Sequence, residues 1–251
     1  MRDAAMNESS KEVALVTGVG RREGIGFELC RQLGGKQFTV ILTARHLAGA
    51  QSLASELSKE GLQVQPLQLD VADEEDVAAV ATHVASSFGR LDVLVNNAAG
   101  VAPYGEKAET ADLAITHAVL EATLFGAWQL SRALLPLLRK SPNGRIVNVS
   151  SGAGSHGDLA FGLTTNNGMG TSYAVSKAAL NALTAKMAHE EPNPGVRINA
   201  VCPGFTATFP GGEAMGARPV RDGAAGVVWA ATLSAGGPSG GFFRDGAPLP
   251  W

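Results

Sequence analysis

The chain has 251 residues, 45% of them hydrophobic and 17% charged, with a formal net charge of −3. That is a globular composition of sufficient length for an ordinary core without metal or disulfide staples. The absence of a long basic run argues against nucleic acid or an acidic membrane surface as partner. Cys30 and Cys202 are far apart and lie among apolar neighbours, so they read as buried thiols rather than a redox or metal pair. The polar start, MRDAAMNESSK, lacks the apolar stretch of a secretory signal. No apolar run reaches the ~18 residues of a membrane span. The expectation is a cytoplasmic chain with no metal, residues 1–10 forming a polar tail and 11–251 one domain.

In chain order, short apolar runs at Val13–Thr17, Thr39–Thr43, Val64–Leu69, Leu91–Val95 and Arg145–Ser150 predict strands. Several are apolar on both faces, as buried parallel strands are. Between them Ile25, Leu29 and Leu33 recur every four residues, and Val77, Val80, Val84 and Phe88 every three or four. Leu120, Leu124, Leu134 and Leu138 suit one long helix. Arg197–Val201 and Gly240–Phe243 complete the strands. Strand–helix alternation predicts βαβ units with right-handed crossovers. The fold class is therefore α/β: a doubly wound parallel sheet of about seven strands with helices on both faces. Gly and Pro cluster at Pro203–Gly216, a flap near a ligand or an ordinary surface loop, and again at Gly236–Pro250.

The first strand runs into Thr17-Gly18-Val19-Gly20-Arg21-Arg22-Glu23-Gly24-Ile25-Gly26 and then a helical pattern. Glycines between a first strand and a first helix let backbone approach a pyrophosphate, and the helix N-terminus offers it free N–H groups. The second strand ends Leu42-Thr43-Ala44-Arg45-His46. An acid there would hold the ribose hydroxyls of NAD; none is present, and Arg45 could pair with the 2′-phosphate of NADP. Arg21 and Arg22 add positive charge nearby.

Asn96-Asn97-Ala98-Ala99-Gly100 follows the fourth strand, Ser150-Ser151 closes the fifth, and Tyr173-Ala174-Val175-Ser176-Lys177 comes next. Tyr173 and Lys177 share one helix face. An ammonium beside a phenol lowers its pKa from about 10, which would make Tyr173 a general acid near neutral pH.

With LTAR, LDVLVNNAAG, LLPLL, GRIVNVSS, YAVSK and RINAVCPG, the chain from Lys11 to Trp251 resembles the short-chain dehydrogenases/reductases, and among them NADPH-dependent carbonyl reductases. The resemblance implies a Rossmann fold and reversible reduction of a ketone or aldehyde by NADPH. On its pattern Tyr173 would protonate the carbonyl oxygen, Lys177 would bind the nicotinamide ribose, and Ser151 would hold the substrate oxygen. Gly18, Gly24, Ile25 and Gly26 would cradle the phosphates, while Asp70 and Val71 would contact adenine. Asn97, Ala98 and Gly100 would border the cofactor, and Pro203, Gly204, Thr206 and Thr208 match the PGxxxT segment near the carboxamide. Asn96 and Asn97 could instead tie neighbouring strands, and His156 reads as a loop residue. Phe161, Leu163, Met169, Phe205 and Phe209 are apolar residues for substrate or core. A homo-oligomer, dimer or tetramer, would pair through the long helices.

Three departures stand out. The glycine loop holds five residues, Val19 to Glu23, where the family has three, which leaves open which arginine meets the 2′-phosphate. Ser151 and Tyr173 are further apart than usual, so extra residues line the substrate entrance. Thr123 stands where a helix Asn of the proton relay is expected. The rivals are an NADP(H)-binding regulatory protein without turnover and a scaffold that binds no cofactor.

Overall fold

The computed structural model describes residues 11–165 and 170–251. The strands are β1 (Val13–Val16), β2 (Thr39–Ala44), β3 (Val64–Gln68), β4 (Val93–Asn96), β5 (Gly144–Val149), β6 (Val196–Val201), β7 (Phe242–Arg244) and β8 (Ala247–Pro248). The helices are α1 (Ile25–Gly35), α2 (Leu47–Lys59), α3 (Glu74–Phe88), α4 (Leu113–Leu120), α5 (Gly126–Leu138), α6 (Thr171–Glu190) and α7 (Val220–Ala231). The strands form one sheet in the order β3-β2-β1-β4-β5-β6-β7-β8. Pairing is parallel through β7, and β8 returns antiparallel.

The two-residue side-chain period divides the core. Ala14 and Val16 of β1 face α1, α2 and α7, where Leu29, Leu33, Leu57 and Val227 pack. Leu15 points to the other side, among Val77, Val80 and Val84 of α3 and Leu130 and Leu134 of α5. Helices on both faces thus follow from central strands such as β1, whose four residues are all apolar and buried. β3, at the sheet edge, is only half-buried along its length.

β8 extends the expected set of about seven strands to eight. Asp245 (φ 53°) and Gly246 (φ 75°) both lie in the left-handed region, as a two-residue hairpin turn demands. The single long helix expected around Leu120–Leu138 is broken by a π-turn over Glu121–Phe125, between α4 and α5. The Pro203–Gly216 segment contains a 3₁₀ turn at Glu213–Met215 and is pinned by a bridge between Thr206 and Arg218. Among the described residues, no helix is long and apolar enough to cross a membrane.

Strand order reverses at β1, with β2 on one side and β4 on the other. Loops leaving the carboxyl ends of these two strands diverge there and open a crevice, the usual ligand position in such sheets.

Candidate active site

The crevice is built from tight backbone approaches. Gly18, at φ 70°, passes so close to the loop after β4 that a Cβ would stand 2.6 Å from Ala98 Cα. Thr17 Oγ1 accepts from the N–H groups of Asn97 (3.0 Å) and Ala98 (2.9 Å), and Asn97 Nδ2 donates to the Thr17 carbonyl (2.7 Å). Asn97 also fills the space that Gly26 leaves, since a Cβ there would meet its Nδ2 at 2.7 Å. Asn96 Nδ2 donates to Asn148 Oδ1 (2.8 Å) and Ser131 Oγ (3.0 Å), tying β4 to β5 and α5. Both asparagines therefore hold neighbouring elements together.

Gly24 precedes α1 in an extended conformation and gives it no side-chain cap, so the first-turn N–H groups beside Ile25 lack one. The three arginines have different surroundings. Arg22 Nε pairs with Glu56 on α2. Arg21 lines a cleft of about 230 Å³ with Glu23, Ala207, Thr208, Phe209 and Pro210. Arg45 is exposed just past β2 and has no ion pair among the described residues. Asp70 Oδ1 accepts from the Ala72 N–H (3.0 Å), and Val71 fits against Gly126 of α5, where a Cβ would meet it at 2.6 Å. Past β6, Pro203 and Thr206 are buried, and the Thr206 hydroxyl bonds the Pro203 and Gly204 carbonyls (3.2 and 3.1 Å). Thr206 is thus an internal brace of the flap. Thr208 stays partly open on the cleft that also holds Arg21.

Ser151, Tyr173 and Lys177 come together at the carboxyl end of β5. Ser151 opens the 3₁₀ turn Gly152–Gly154, with its hydroxyl accepting from the Ala153 N–H (3.2 Å). Tyr173 lies in the first turn of α6. Its phenol is pushed up to about 12 by burial; a Ser151 hydrogen bond pulls it down, and nearby Cys202 pushes it up. Lys177, 2% exposed, is driven down to about 8, chiefly by burial. Its Nζ donates to the Val149 carbonyl (2.7 Å) and stands 5.5 Å from the Tyr173 ring centre. The expected lowering of the phenol pKa by this ammonium is not found here. The ammonium is turned to the end of β5, and desolvation dominates both groups.

A family model, short chain dehydrogenase, matches residues 12–215. The chain belongs to that family. It is 36% identical to (-)-isopiperitenone reductase of Mentha piperita, across 93% of this chain and 96% of that protein. It is 32% identical to carbonyl reductase [NADPH] 1 of Bos taurus, across 97% of this chain and 99% of the other. The NADPH-bound carbonyl reductase from chicken fatty liver superposes with a TM-score of 0.83 at 29% identity, covering 96% of this chain and 99% of that one.

In this short-chain dehydrogenase, Thr123 lies at the centre of the π-turn and is fully buried. Its Oγ1 accepts from the Gly100 N–H at 3.0 Å. Gly100 in turn sits where a Cβ would stand 2.5 Å from Val119 Cα. The hydroxyl expected in a proton relay thus carries a tie between the helix and the loop after β4. π-turns recur at functional positions, where they re-aim side chains.

Sequence reasoning missed three residues around the turn that Ser151 opens. Cys202 Sγ receives the N–H groups of Gly152 (3.1 Å) and Gly204 (3.3 Å) and the Arg244 guanidinium (3.3 Å). Arg244 also pairs with Asp158, a buried residue in the stretch between Ser151 and Tyr173. Burial pushes the Asp158 carboxyl up, but Arg244 and the Ala160 and Phe161 N–H groups outweigh it and hold it below the usual carboxylate range. Apolar neighbours concealed Cys202, and the pairing joins residues distant in sequence; only the Asp-Gly dipeptide after Arg244 signalled a turn there. His156 is an exposed loop residue whose N–H donates to the Trp251 carbonyl (2.9 Å). Met169 lies outside the described residues.

Proposed function

We propose that this short-chain dehydrogenase reduces a ketone or aldehyde with NADPH, using Ser151, Tyr173 and Lys177. The observation that carries the reading is the convergence of two hydroxyls and an ammonium beside the glycine crevice. The crevice suits a dinucleotide: the glycine loop has open space beside Gly20, α1 opens without a side-chain cap, and Arg21 and Arg45 make no ion pair among the described residues. Gly18, Gly24, Ile25, Gly26, Asp70, Val71, Asn97, Ala98, Gly100, Pro203, Gly204 and Thr208 would border the cofactor, and Thr206 would brace its flap.

NADPH, when bound, would supply the hydride for the carbonyl carbon. Ser151 donates a hydrogen bond to the carbonyl oxygen and fixes its position. Tyr173, whose phenol keeps its proton in the free protein, hands that proton to the oxygen as negative charge builds there. An alkoxide is far more basic than a tyrosinate, so the transfer runs downhill. Lys177 would bind the ribose hydroxyls; to steady the tyrosinate left behind its ammonium would have to leave the Val149 carbonyl and approach the phenol oxygen. The reverse reaction needs the tyrosinate first and gains from higher pH. NADPH use is supported by the bovine and chicken carbonyl reductases, whose names include it.

The test is NADPH and NADH oxidation with a panel of ketones, aldehydes and diketones. Turnover preferring NADPH is the expected result. NADPH binding without any turnover would instead make the chain a nucleotide-binding regulator.

A further inference from the structure

Two segments from different parts of the chain come together: residues 152–165, which follow Ser151, and the flap after Pro203. They meet through aromatic rings. Phe161 and Phe205 have centroids 6.3 Å apart, and Phe205 and Phe209 6.2 Å. Phe205 is 37% and Phe209 39% exposed, so these rings present an apolar face instead of filling the core.

Both loops are anchored to consecutive residues at the β7–β8 turn. Arg244 Nη2 donates to Asp158 Oδ2, and its Nε and Nη2 lie 3.4 and 3.3 Å from Cys202 Sγ. The other Asp158 oxygen accepts from the N–H groups of Ala160 (2.9 Å) and Phe161 (3.2 Å). Asp245, the next residue, accepts from Arg218 Nη1 (2.7 Å), which also donates to the Pro203 carbonyl (3.3 Å). Gly152, immediately after Ser151, lies flush against the first pair. A Cβ there would stand 2.5 Å from Arg244 Nη2 and closer still to Asp158.

The two ion pairs are not equivalent. The Asp158 side chain is 4% exposed and that of Arg244 24%, whereas Arg218 and Asp245 are 32% and 49% exposed. Losing one partner of a buried pair strands a charge, but an exposed pair contributes little. Arg244 is therefore the anchor that matters. We infer that Arg244 is a positioning residue: by holding Asp158 it fixes Phe161 against Phe205. The resulting aromatic wall selects ketones that carry a ring beside the carbonyl. This rests on the carbonyl-reductase reading and names the substrate class of the same site.

The test uses the full chain with NADPH, comparing acetophenone with acetone in wild type, Arg244→Gln, Arg244→Lys and Asp158→Asn. Hydrogen exchange at the Ala160 and Phe161 amides is measured in parallel. Arg244→Gln and Asp158→Asn should raise KM for acetophenone about tenfold, equivalent to ~1.4 kcal/mol, with a much smaller change for acetone. Their Ala160 and Phe161 amides should exchange faster, while NADPH affinity stays at the wild-type value. Arg244→Lys, which keeps the charge but loses the planar fork, should recover most of both effects. Equal KM rises for the two ketones, or unaltered exchange at Ala160 and Phe161, would overturn the inference. If wild type reduces no ketone, the carbonyl reading fails, and the exchange rates alone decide whether Arg244 holds the wall. Should Arg244→Gln not fold, the near-isosteric Asp158→Asn and charge-keeping Arg244→Lys decide the same point.

Discussion

Replacing Thr123 by valine separates its structural role from any part in proton movement. The side chain is fully buried, and its Oγ1 is the acceptor for the Gly100 N–H at 3.0 Å. Valine keeps the branching at Cβ but removes the acceptor. An N–H left without a partner away from water costs about 1–3 kcal/mol. In a chain of this length each kcal/mol shifts Tm by ~2–4 °C, so the expected fall is roughly 2–12 °C. Calorimetry on the cofactor-free protein reads that number, and the exchange rate of the Gly100 amide reads its cause. Thr123→Ser, which keeps the hydroxyl, should retain protection at Gly100 and lose only methyl packing, about 0.8 kcal/mol before any cavity cost. Turnover of Thr123→Val should fall by less than that of Tyr173→Phe, because the valine variant keeps the phenol that donates the proton in the proposed reaction, and the Thr123 hydroxyl accepts from the loop at Gly100. An unchanged Tm with an equally protected Gly100 amide would refute this assignment. A loss of turnover as large as that of Tyr173→Phe, with an altered solvent isotope effect, would place Thr123 in the proton relay.

Cofactor choice and pH dependence give two further expectations. Arg45→Ala should raise KM for NADPH by about one to two decades, the worth of a charge-assisted bond of ~1.5–3 kcal/mol, and leave NADH nearly unchanged. The kcat/KM ratio for the two cofactors checks this. Arg22→Ala should matter least because Glu56 already pairs with that side chain; collapse of the ratio in Arg22→Ala would contradict the assignment. Native Lys177 loses its proton near pH 8, whereas the unfolded chain keeps it to about 10.5. Over that interval the unfolded state holds the extra proton, so the stability of the cofactor-free chain rises with pH. At ~1.4 kcal/mol per pH unit the gain is about 1–3 kcal/mol between pH 8 and 10, and Lys177→Met should flatten it. Above pH 10 the raised Tyr173 pKa acts in the opposite direction, because the native phenol keeps a proton that the unfolded one loses. Urea titrations across this range check the rise, and a flat wild-type profile between pH 8 and 10 would reject the buried-lysine account.

The sheet was legible because its strands are apolar on both faces. Ala14 and Val16 pack on one layer and Leu15 on the other, so one short run encodes both contacts. The crevice glycines were equally readable, since Gly18 needs a left-handed backbone and Gly26 a side-chain-free surface. β8 escaped because it is two residues long, though the Asp245-Gly246 pair is the turn chemistry that announces a hairpin. The π-turn at Thr123 has no periodic signature, as it inserts into an otherwise regular helical pattern. The Asp158–Arg244 pair joins residues far apart in the chain, and spacing carries no trace of such a contact. The direction of the Tyr173 shift depends on how far burial outweighs a neighbouring ammonium, which only the packed site decides.

The most direct test of the central claim is Tyr173→Phe, which removes one hydroxyl from the first turn of α6. NADPH oxidation with a ketone that wild type accepts is measured alongside NADPH affinity by fluorescence titration. Loss of nearly all kcat, with NADPH affinity close to wild type, is the predicted result, because on the proposed mechanism the phenol would be the proton donor and phosphate contacts would hold the cofactor. A variant that retains most of the wild-type kcat would contradict the assignment of Tyr173 as the acid of a carbonyl reductase.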